Sequence, residues 1–272
     1  MCASGAARDA RIEQAFAAVP REPFAGPAPW FILGANWSGG LRPPYTETIG
    51  DEPAFLYQDV LIGLDRARGI NIGQPSLHAH LLEAVAVAEG ETVLQVGAGS
   101  GYYTAILAHL AGSAGRVIAF EIDAELAFRA QRNLADREWV KVEARSGIAE
   151  DLPAADVVYV NAGTTQPSWS WLEALRAGGR LLFPLTGEGG SGAMLLVHKP
   201  PTGGAAWPAR FVCRAGFIAC QTRQDNDAGR RLTAAFDQGG LREVRSLRLN
   251  RRPDATCWFR GDDWWLSTAE AT

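Results

Sequence analysis

Two kinds of hydrophobic pattern alternate along the middle of the chain. Short apolar runs predict buried strands, and segments with apolar residues three and four positions apart predict amphipathic helices. The strands are predicted at 93–96, 116–120, 140–142, 156–160, 180–184 and 193–197, and the helices at 75–88, 102–111, 123–135 and 168–176. Strands that alternate with helices are typical of an α/β fold, so a doubly wound, mostly parallel sheet is expected.

The N-terminal part has a different pattern. Residues 9–19 predict a helix that ends at Pro20, and residues 20–57 are rich in proline, glycine and aromatic residues. We interpret this second stretch as irregular, either a lid over a ligand or a wrap that covers core. Its aromatic residues include Trp30, Phe31, Trp37, Tyr45, Phe55 and Tyr57.

The C-terminal part predicts an α+β extension. Residues 200–209 have the composition of a linker, and 227–236 predict a helix. Hairpins are predicted for 211–220, with a turn at 215–216, and for 257–266, with a turn at 261–262. The chain therefore divides into three predicted parts, which are an N-terminal helix and lid (1–70), a core (71–199) and the extension (200–272).

A glycine-rich turn joins one predicted strand to the next helix. Gly97, Gly99 and Gly101 follow the strand 93–96, and the helix begins at Tyr102. A strand, a glycine turn and a helix N-terminus together direct backbone N–H groups toward a ligand, which predicts a nucleotide-cofactor crevice. The dinucleotide fingerprint G-x-G-x-x-G requires glycine where Tyr102 stands, so the spacing argues against NAD.

An acidic residue ends the following strand. Glu121 comes directly after 116–120 and 24 residues after Gly97. A carboxylate at this spacing accepts hydrogen bonds from the two hydroxyls of a ribose. The alternative is a solvated glutamate at a strand end.

Composition limits the classes of partner. The formal net charge is −4, which predicts no nucleic-acid partner, and no apolar run is long enough for a membrane helix. The four cysteines, at positions 2, 213, 220 and 257, lack the spacing of a metal site. We therefore expect no metal, no membrane association, reduced thiols and, with no signal peptide, a cytoplasmic location.

The turn and three further segments resemble known proteins. The G-x-G-x-G turn resembles motif I of class I S-adenosylmethionine methyltransferases, which have a Rossmann-like fold. From residue 12 to about 199 the chain resembles the protein-L-isoaspartate O-methyltransferase family. The segments that carry the resemblance are FAAVPREPF (16–24), NIGQPSLHA (71–79), VLQVGAGSGYYT (93–104) and LRAGGRLLFP (175–184).

The resemblance implies a cofactor and a set of site residues. The cofactor would be S-adenosylmethionine, with S-adenosylhomocysteine as product. Candidate catalytic residues are His78, Asn71 and Gln74. Candidate cofactor-binding residues are Gln95, Gly97, Ala98, Gly99, Gly101, Glu121, Ile122, Ser146, Gly147 and Asn161.

Three positions depart from the family pattern. The family serine thought to orient the substrate carboxylate falls on Gly73, the acid of motif I falls on Gln95, and the acid that faces adenine falls on Ser146. Gln95 and Ser146 retain hydrogen-bonding groups, but Gly73 has no hydroxyl. Weak or absent methylation of isoaspartyl peptides is therefore predicted.

Three functions stay open at this point. The first is O-methylation of a carboxylate on a peptide or small acid by direct in-line transfer. The second is O- or N-methylation of an aromatic or amine metabolite, which the aromatic segment and the C-terminal extension favour. The third is cofactor binding without catalysis. A carboxylate needs no general base, whereas a phenol or amine does, and His78, His80 and Asp59 are the candidate bases.

Overall fold

The computed structural model describes residues 7–34, 45–218, 220 and 225–271. The chain forms two compact units, residues 1–147 and 148–272. The predicted boundaries after residues 70 and 199 do not coincide with this division, and the three-part organisation stays a prediction.

The first unit begins with two helices and a small antiparallel sheet. Helix α1 (Ala10–Ala18) is capped by Asp9, whose side chain accepts the N–H of Arg11, and α2 spans Glu22–Ala25. The strands of this sheet are β1 (Phe31–Gly34), β2 (Thr46–Glu47), β3 (Val60–Asp65) and β4 (Ile70–Ile72). Their order in the sheet is β2-β1-β3-β4. The prediction that residues 20–57 are irregular is therefore wrong in part, because β1 pairs with a strand far along the chain.

The rest of the first unit follows the predicted alternation. Its elements are α3 (Pro75–Val85), β5 (Thr92–Val96), α4 (Tyr102–Ala111), β6 (Arg116–Phe120), α5 (Ala124–Asn133) and β7 (Val140–Glu143). Strands β5, β6 and β7 pair in parallel. Strands β5 and β6 are almost entirely buried, whereas β7, at the edge of the sheet, buries only Val142. Burial of a parallel sheet on both faces explains why β5 and β6 have mostly apolar sequences.

The second unit starts with a parallel pair of strands and continues with antiparallel ones. Strand β8 (Ala155–Val160) pairs in parallel with β9 (Leu175–Thr186), and α6 (Trp169–Ala174) connects them. Strand β10 (Ser191–His198) then pairs antiparallel with β9. Trp171 and Phe183 pack with ring centroids 6.0 Å apart in this core, and both are fully buried.

The C-terminal elements correct two predictions. Strand β11 spans Ala206–Gly216 without interruption, so the predicted linker ends earlier and the predicted hairpin at 211–220 is wrong. Long pairing with β10 and with β12 (Ser246–Arg248) supplies the hydrogen bonds that local sequence does not reveal. The other predictions hold, since α7 spans Asn226–Gln238, and β13 (Cys257–Arg260) and β14 (Trp265–Ser267) form the second hairpin.

Two features are absent from the described residues. No helix in them has both the length and the apolar character needed to cross a membrane. No group of three or more His, Cys, Asp or Glu side chains in the same residues could hold a metal ion.

Candidate cofactor and acceptor site

The glycine turn lies between β5 and α4, and its backbone requires glycine. Gly97, Gly99 and Gly101 have φ values of 81°, 57° and 96°. Side chains other than hydrogen are strained at these angles, so the triplet shapes a tight turn. Its N–H groups are less bare than the sequence predicts, because Gly97 and Ala98 both donate to the carbonyl of Phe120, at 2.9 and 3.1 Å.

Glu121 lies directly against this turn. Its Oε2 accepts the N–H of Gly99 at 2.7 Å, and its Oε1 accepts the N–H of Asp123 at 3.0 Å. Burial raises the pKa of Glu121, and the hydrogen bonds from Asp123 and Gly99 oppose that rise. The strand-end acid and the glycine turn, which are 22 residues apart in sequence, therefore form one site.

The surroundings of Glu121 fit a nucleoside. A Cβ atom at Gly99 would have one neighbour within 4 Å, Leu64 Cδ1 at 3.7 Å, so there is space above the turn. Ile122 is 48% exposed beside the buried carboxylate, which leaves an apolar surface at the crevice. A carboxylate that accepts hydrogen bonds from hydroxyls, beside an apolar surface on which a base can pack, is the combination that a ribose and an adenine need.

The remaining cofactor candidates have different environments. Gln95 is fully buried. Its Oε1 accepts a hydrogen bond from the Thr104 hydroxyl at 2.6 Å, and its Nε2 has no hydrogen-bond partner among the described residues.

The other three candidates lie further along the chain. A Cβ atom on Gly147 would lie 2.8 Å from Val96 Cγ2, so this glycine allows close packing beside β5. Ser146 precedes it and is partly exposed. Asn161 lies in the second unit and is partly exposed. Direct contact of these side chains with the cofactor stays a prediction.

The β3–β4 hairpin borders the same crevice. Leu64 comes from β3, and Arg68 lies in the hairpin turn. The Arg68 guanidinium bridges Asp65 and Asp123, at 2.6 Å to each. Asp123 also caps α5 by accepting the N–H groups of Glu125 and Leu126. The turn of the hairpin is thus fastened to the loop that carries Glu121, a contact that the sequence did not predict.

His78 occupies the space that Gly73 leaves open. Its imidazole is 3% exposed and stacks on Tyr103, with ring centroids 3.5 Å apart. A side chain at Gly73 would collide with His78 Nε2 and would lie 2.9 Å from its Cδ2. The Tyr103 hydroxyl donates to the Gly73 carbonyl at 2.6 Å. These contacts place residues 73–74 at the first turn of α4, next to the glycine turn.

Burial makes His78 a weak base. Desolvation, with a contribution from the charge of Arg21, lowers its pKa to about 3. A general base works best when its pKa lies near the operating pH. These properties argue against proton transfer by His78 and favour the packing role.

Gln74 is held by a polar network at the start of α3. Its Nε2 donates to Asp59 Oδ2 at 2.6 Å and to Ser76 Oγ at 3.0 Å. Asp59 also accepts the Ser76 N–H and the Ser76 hydroxyl, at 2.8 and 2.6 Å. Asn71 lies on β4 and donates to the Gly69 carbonyl at 2.9 Å, which is a local contact of the hairpin.

A buried arginine binds the backbone on both sides of Asp59. Arg21 is 1% exposed, and its guanidinium donates to the carbonyls of Leu56, Gln58 and Val60 at 2.6 to 3.3 Å. The segment that contains Asp59 is therefore fixed by a residue from the N-terminal region. The sequence signal was the VPR stretch of residues 19–21, but no role for Arg21 was predicted.

The predicted aromatic lid is only partly described. Trp30 is buried, and its indole N–H donates to the Gly26 carbonyl at 2.8 Å, so it packs within the N-terminal region. Trp37 lies outside the described residues. A role of either residue in an acceptor pocket stays a prediction.

Comparison with protein families agrees with the resemblance seen in the sequence. The family model described as protein-L-isoaspartate(D-aspartate) O-methyltransferase matches residues 50–206. A protein-L-isoaspartate O-methyltransferase 2 of Anaeromyxobacter sp. (strain Fw109-5) is 34% identical over 213 residues, which are 75% of this chain and 76% of the relative. The enzyme of that family from Gloeobacter violaceus is 30% identical over 180 residues, 63% of this chain and 82% of its own.

Solved structures share the fold. One protein-L-isoaspartate O-methyltransferase superposes with a TM-score of 0.62 at 21% identity, covering 94% of this chain and 82% of its own. A second, from Plasmodium falciparum in complex with S-adenosyl-L-homocysteine, gives 0.60 at 17% identity and covers 80% of this chain and 94% of its own. At these identities the likeness concerns the fold, and it confirms the predicted α/β fold class.

Proposed function

We propose that this protein O-methylates a carboxylate, from the premise that the chain belongs to the protein-L-isoaspartate(D-aspartate) O-methyltransferase family. It is an S-adenosylmethionine-dependent methyltransferase. The residues that would hold the cofactor are the glycine turn 97–101, Glu121 and Ile122. S-adenosylmethionine supplies an electrophilic methyl group on a sulfonium, and S-adenosylhomocysteine is the product.

The observation that supports a carboxylate acceptor is the environment of His78. A phenol or an ammonium group must lose a proton before it can accept a methyl group. Of the candidate bases, His78 has a pKa of about 3 and Asp59 has a pKa held below 3.8, so both are too weak to remove it, and His80 is exposed on the other side of α3. A carboxylate is already ionised at neutral pH. The protein then has only to align the acceptor and exclude water. The acceptor is proposed to be a peptide or a small acid.

Gly73 bears on the choice of carboxylate. It has no hydroxyl to donate, and the His78 imidazole fills the space that a serine side chain would need. A lost hydrogen bond to a charged group corresponds to roughly 10- to 150-fold in rate if it acts in the transition state. We therefore propose that isoaspartyl peptides are poor substrates and that another carboxylate is preferred.

The test is an assay with methyl-labelled S-adenosylmethionine. The acceptors are an isoaspartyl peptide, its aspartyl counterpart, and sets of small acids, phenols and amines. Label in base-labile methyl esters of an acid other than the isoaspartyl peptide is expected. Label found only in base-stable ethers or amines would overturn the carboxylate proposal. Isoaspartyl turnover that exceeds that of every other acid would overturn the proposed preference.

A further inference from the structure

The polar network around Gln74 fixes the orientation of its side-chain amide. Nε2 lies 2.6 Å from Asp59 Oδ2 and 3.0 Å from Ser76 Oγ. No described residue hydrogen bonds to the Oε1 of this partly exposed side chain. The nitrogen end of the amide is therefore held by the protein, and the oxygen end is left for another molecule.

The charge of Asp59 makes this orientation obligatory. Burial would raise the pKa of Asp59, but hydrogen bonds from Ser76 and Gln74, together with the charge of Arg21, hold it below its ordinary value of 3.8. An ionised carboxylate only accepts hydrogen bonds, so a flipped amide would place oxygen against oxygen. Loss of a hydrogen bond to a charged group is costly, and the Oε1-outward form dominates.

Gln74 lies beside the cofactor turn. The preceding residue, Gly73, accepts a hydrogen bond from Tyr103, which is two residues after Gly101. Strand β4 ends at Ile72 and pairs with β3, whose Leu64 lies against Gly99. The unbonded oxygen of Gln74 is thus carried by a segment that borders the place where methyl transfer is proposed.

We infer that Gln74 Oε1 is a specificity-determining hydrogen-bond acceptor for a donor on the methyl acceptor, and that Asp59 is the positioning residue that holds it so. An acid that carries an N–H group near its carboxylate, such as an N-acylated amino acid or a peptide, is then preferred over an acid without one. The target carboxylate itself cannot bind there, because two acceptors repel. This inference rests on the proposed carboxylate methylation and specifies its substrate class.

A matched pair of acids tests the inference. The probes are N-acetyl-L-aspartate and its analogue methylated at the amide nitrogen, which differ in one N–H. Formation of base-labile methyl esters gives kcat and KM, and titration into the protein loaded with S-adenosylhomocysteine gives Kd. The wild type is expected to prefer the N–H acid by about 10-fold in kcat/KM and in Kd, the usual size of one hydrogen bond.

Three variants test whether the preference depends on the Gln74 oxygen or only on the stability of the fold. Gln74→Met is expected to bring the preference close to 1 by weakening only the N–H acid. Asp59→Asn allows the Gln74 side-chain amide to flip, so the preference for the N–H acid falls several-fold. The fall is expected in KM for the N–H acid, with kcat nearly unchanged. Gln14→Met, the same substitution on the exposed face of α1, is the control and keeps the preference.

The outcomes distinguish this inference from the proposed function. Ester formation with no preference in the wild type, or with a preference that survives Gln74→Met, overturns the role of Gln74. Failure of both acids to bind the loaded protein also overturns it. Transfer only to base-stable products instead overturns the proposed function.

A separate check uses NMR of protein labelled with ¹⁵N-glutamine. The Gln74 side-chain NH₂ signal should be protected from exchange in the wild type and lose that protection in Asp59→Asn. An unprotected signal in the wild type would contradict the fixed orientation.

Discussion

At the scale of single residues, the site depends on where side chains are absent. Gly99 leaves space above the turn, and Gly73 leaves space that the His78 imidazole fills. Glycine at position 99 is required by a positive φ, and glycine at position 73 by the neighbouring His78 side chain. The two residues therefore respond differently to substitution.

Gly99→Asp is expected to weaken S-adenosylmethionine binding at least 10-fold. The new carboxylate would stand beside Glu121, whose Oε2 is 2.7 Å from the Gly99 nitrogen, and would fill the space above the turn. Calorimetric titration gives the Kd. Gly203→Asp is the control, since Gly203 also has a positive φ of 75° but faces open space in the second unit. Unchanged affinity in Gly99→Asp would mean that the cofactor binds elsewhere.

Gly73→Ala is expected to lower the free energy of unfolding by about 1–3 kcal/mol, because its methyl group overpacks against His78. In a His78→Ala background the same change should be neutral or slightly stabilising, since alanine restricts the unfolded chain more than glycine does. Urea denaturation of the four proteins in this cycle measures the coupling. Equal effects in both backgrounds would show that the imidazole is not the obstacle.

At the scale of elements, the Arg68 side chain joins the β3–β4 hairpin to the loop that carries Glu121 and Asp123. Arg68 contacts both Asp65 in the hairpin and Asp123 at the start of α5. Asp123 in turn donates its N–H to Glu121 at 3.0 Å. The hairpin and the strand-end acid are thus linked through a chain of polar contacts.

Arg68→Met tests this link. Exposed ion pairs contribute little, so the free energy of unfolding should change by less than about 1 kcal/mol. The affinity for S-adenosylmethionine should nevertheless fall several-fold, because the loop that carries Asp123 and Glu121 loses its ion pair with Arg68. Thermal unfolding and calorimetric titration measure the two effects, and Arg230→Met, in an exposed pair with Asp227, is the control. A loss of stability that is larger than the loss of affinity would contradict this role.

At the scale of the whole molecule, buried His78 makes stability depend on pH. Its pKa of about 3 in the folded state lies below the ordinary value of 6.5. Above pH 6.5 the imidazole is neutral in both states and contributes nothing. Below pH 6.5 His78 binds a proton in the unfolded chain but not in the folded protein. The free energy of unfolding therefore falls as pH falls, by up to about 1.4 kcal/mol for each pH unit.

Urea denaturation between pH 7.5 and 5 measures this dependence. His78→Gln is expected to show a shallower decline below pH 6.5 than the wild type. The control is His80→Gln, on the exposed side of the same helix, which should keep the wild-type slope. Equal slopes in the wild type and His78→Gln would show that His78 takes up its proton in the folded state.

The sequence by itself determined the features that are written locally. The period of apolar residues predicted β5, β6, α4 and α5 within two residues at each end. The glycine turn and Glu121 were found from spacing alone, because a βαβ unit brings a turn and the next strand end together at one edge of the sheet.

The tertiary structure decided what depends on distant segments and on volume. Strand β11 could not be recognised from its proline-containing start, since its partners β10 and β12 supply the hydrogen bonds. The sheet around β1 depends on pairing with β3, almost thirty residues further along the chain. Side-chain packing places the His78 imidazole in the space beside Gly73. The charge of Asp59 orients the side-chain amide of Gln74. Such contacts have no period in the sequence, so only the folded chain reveals them.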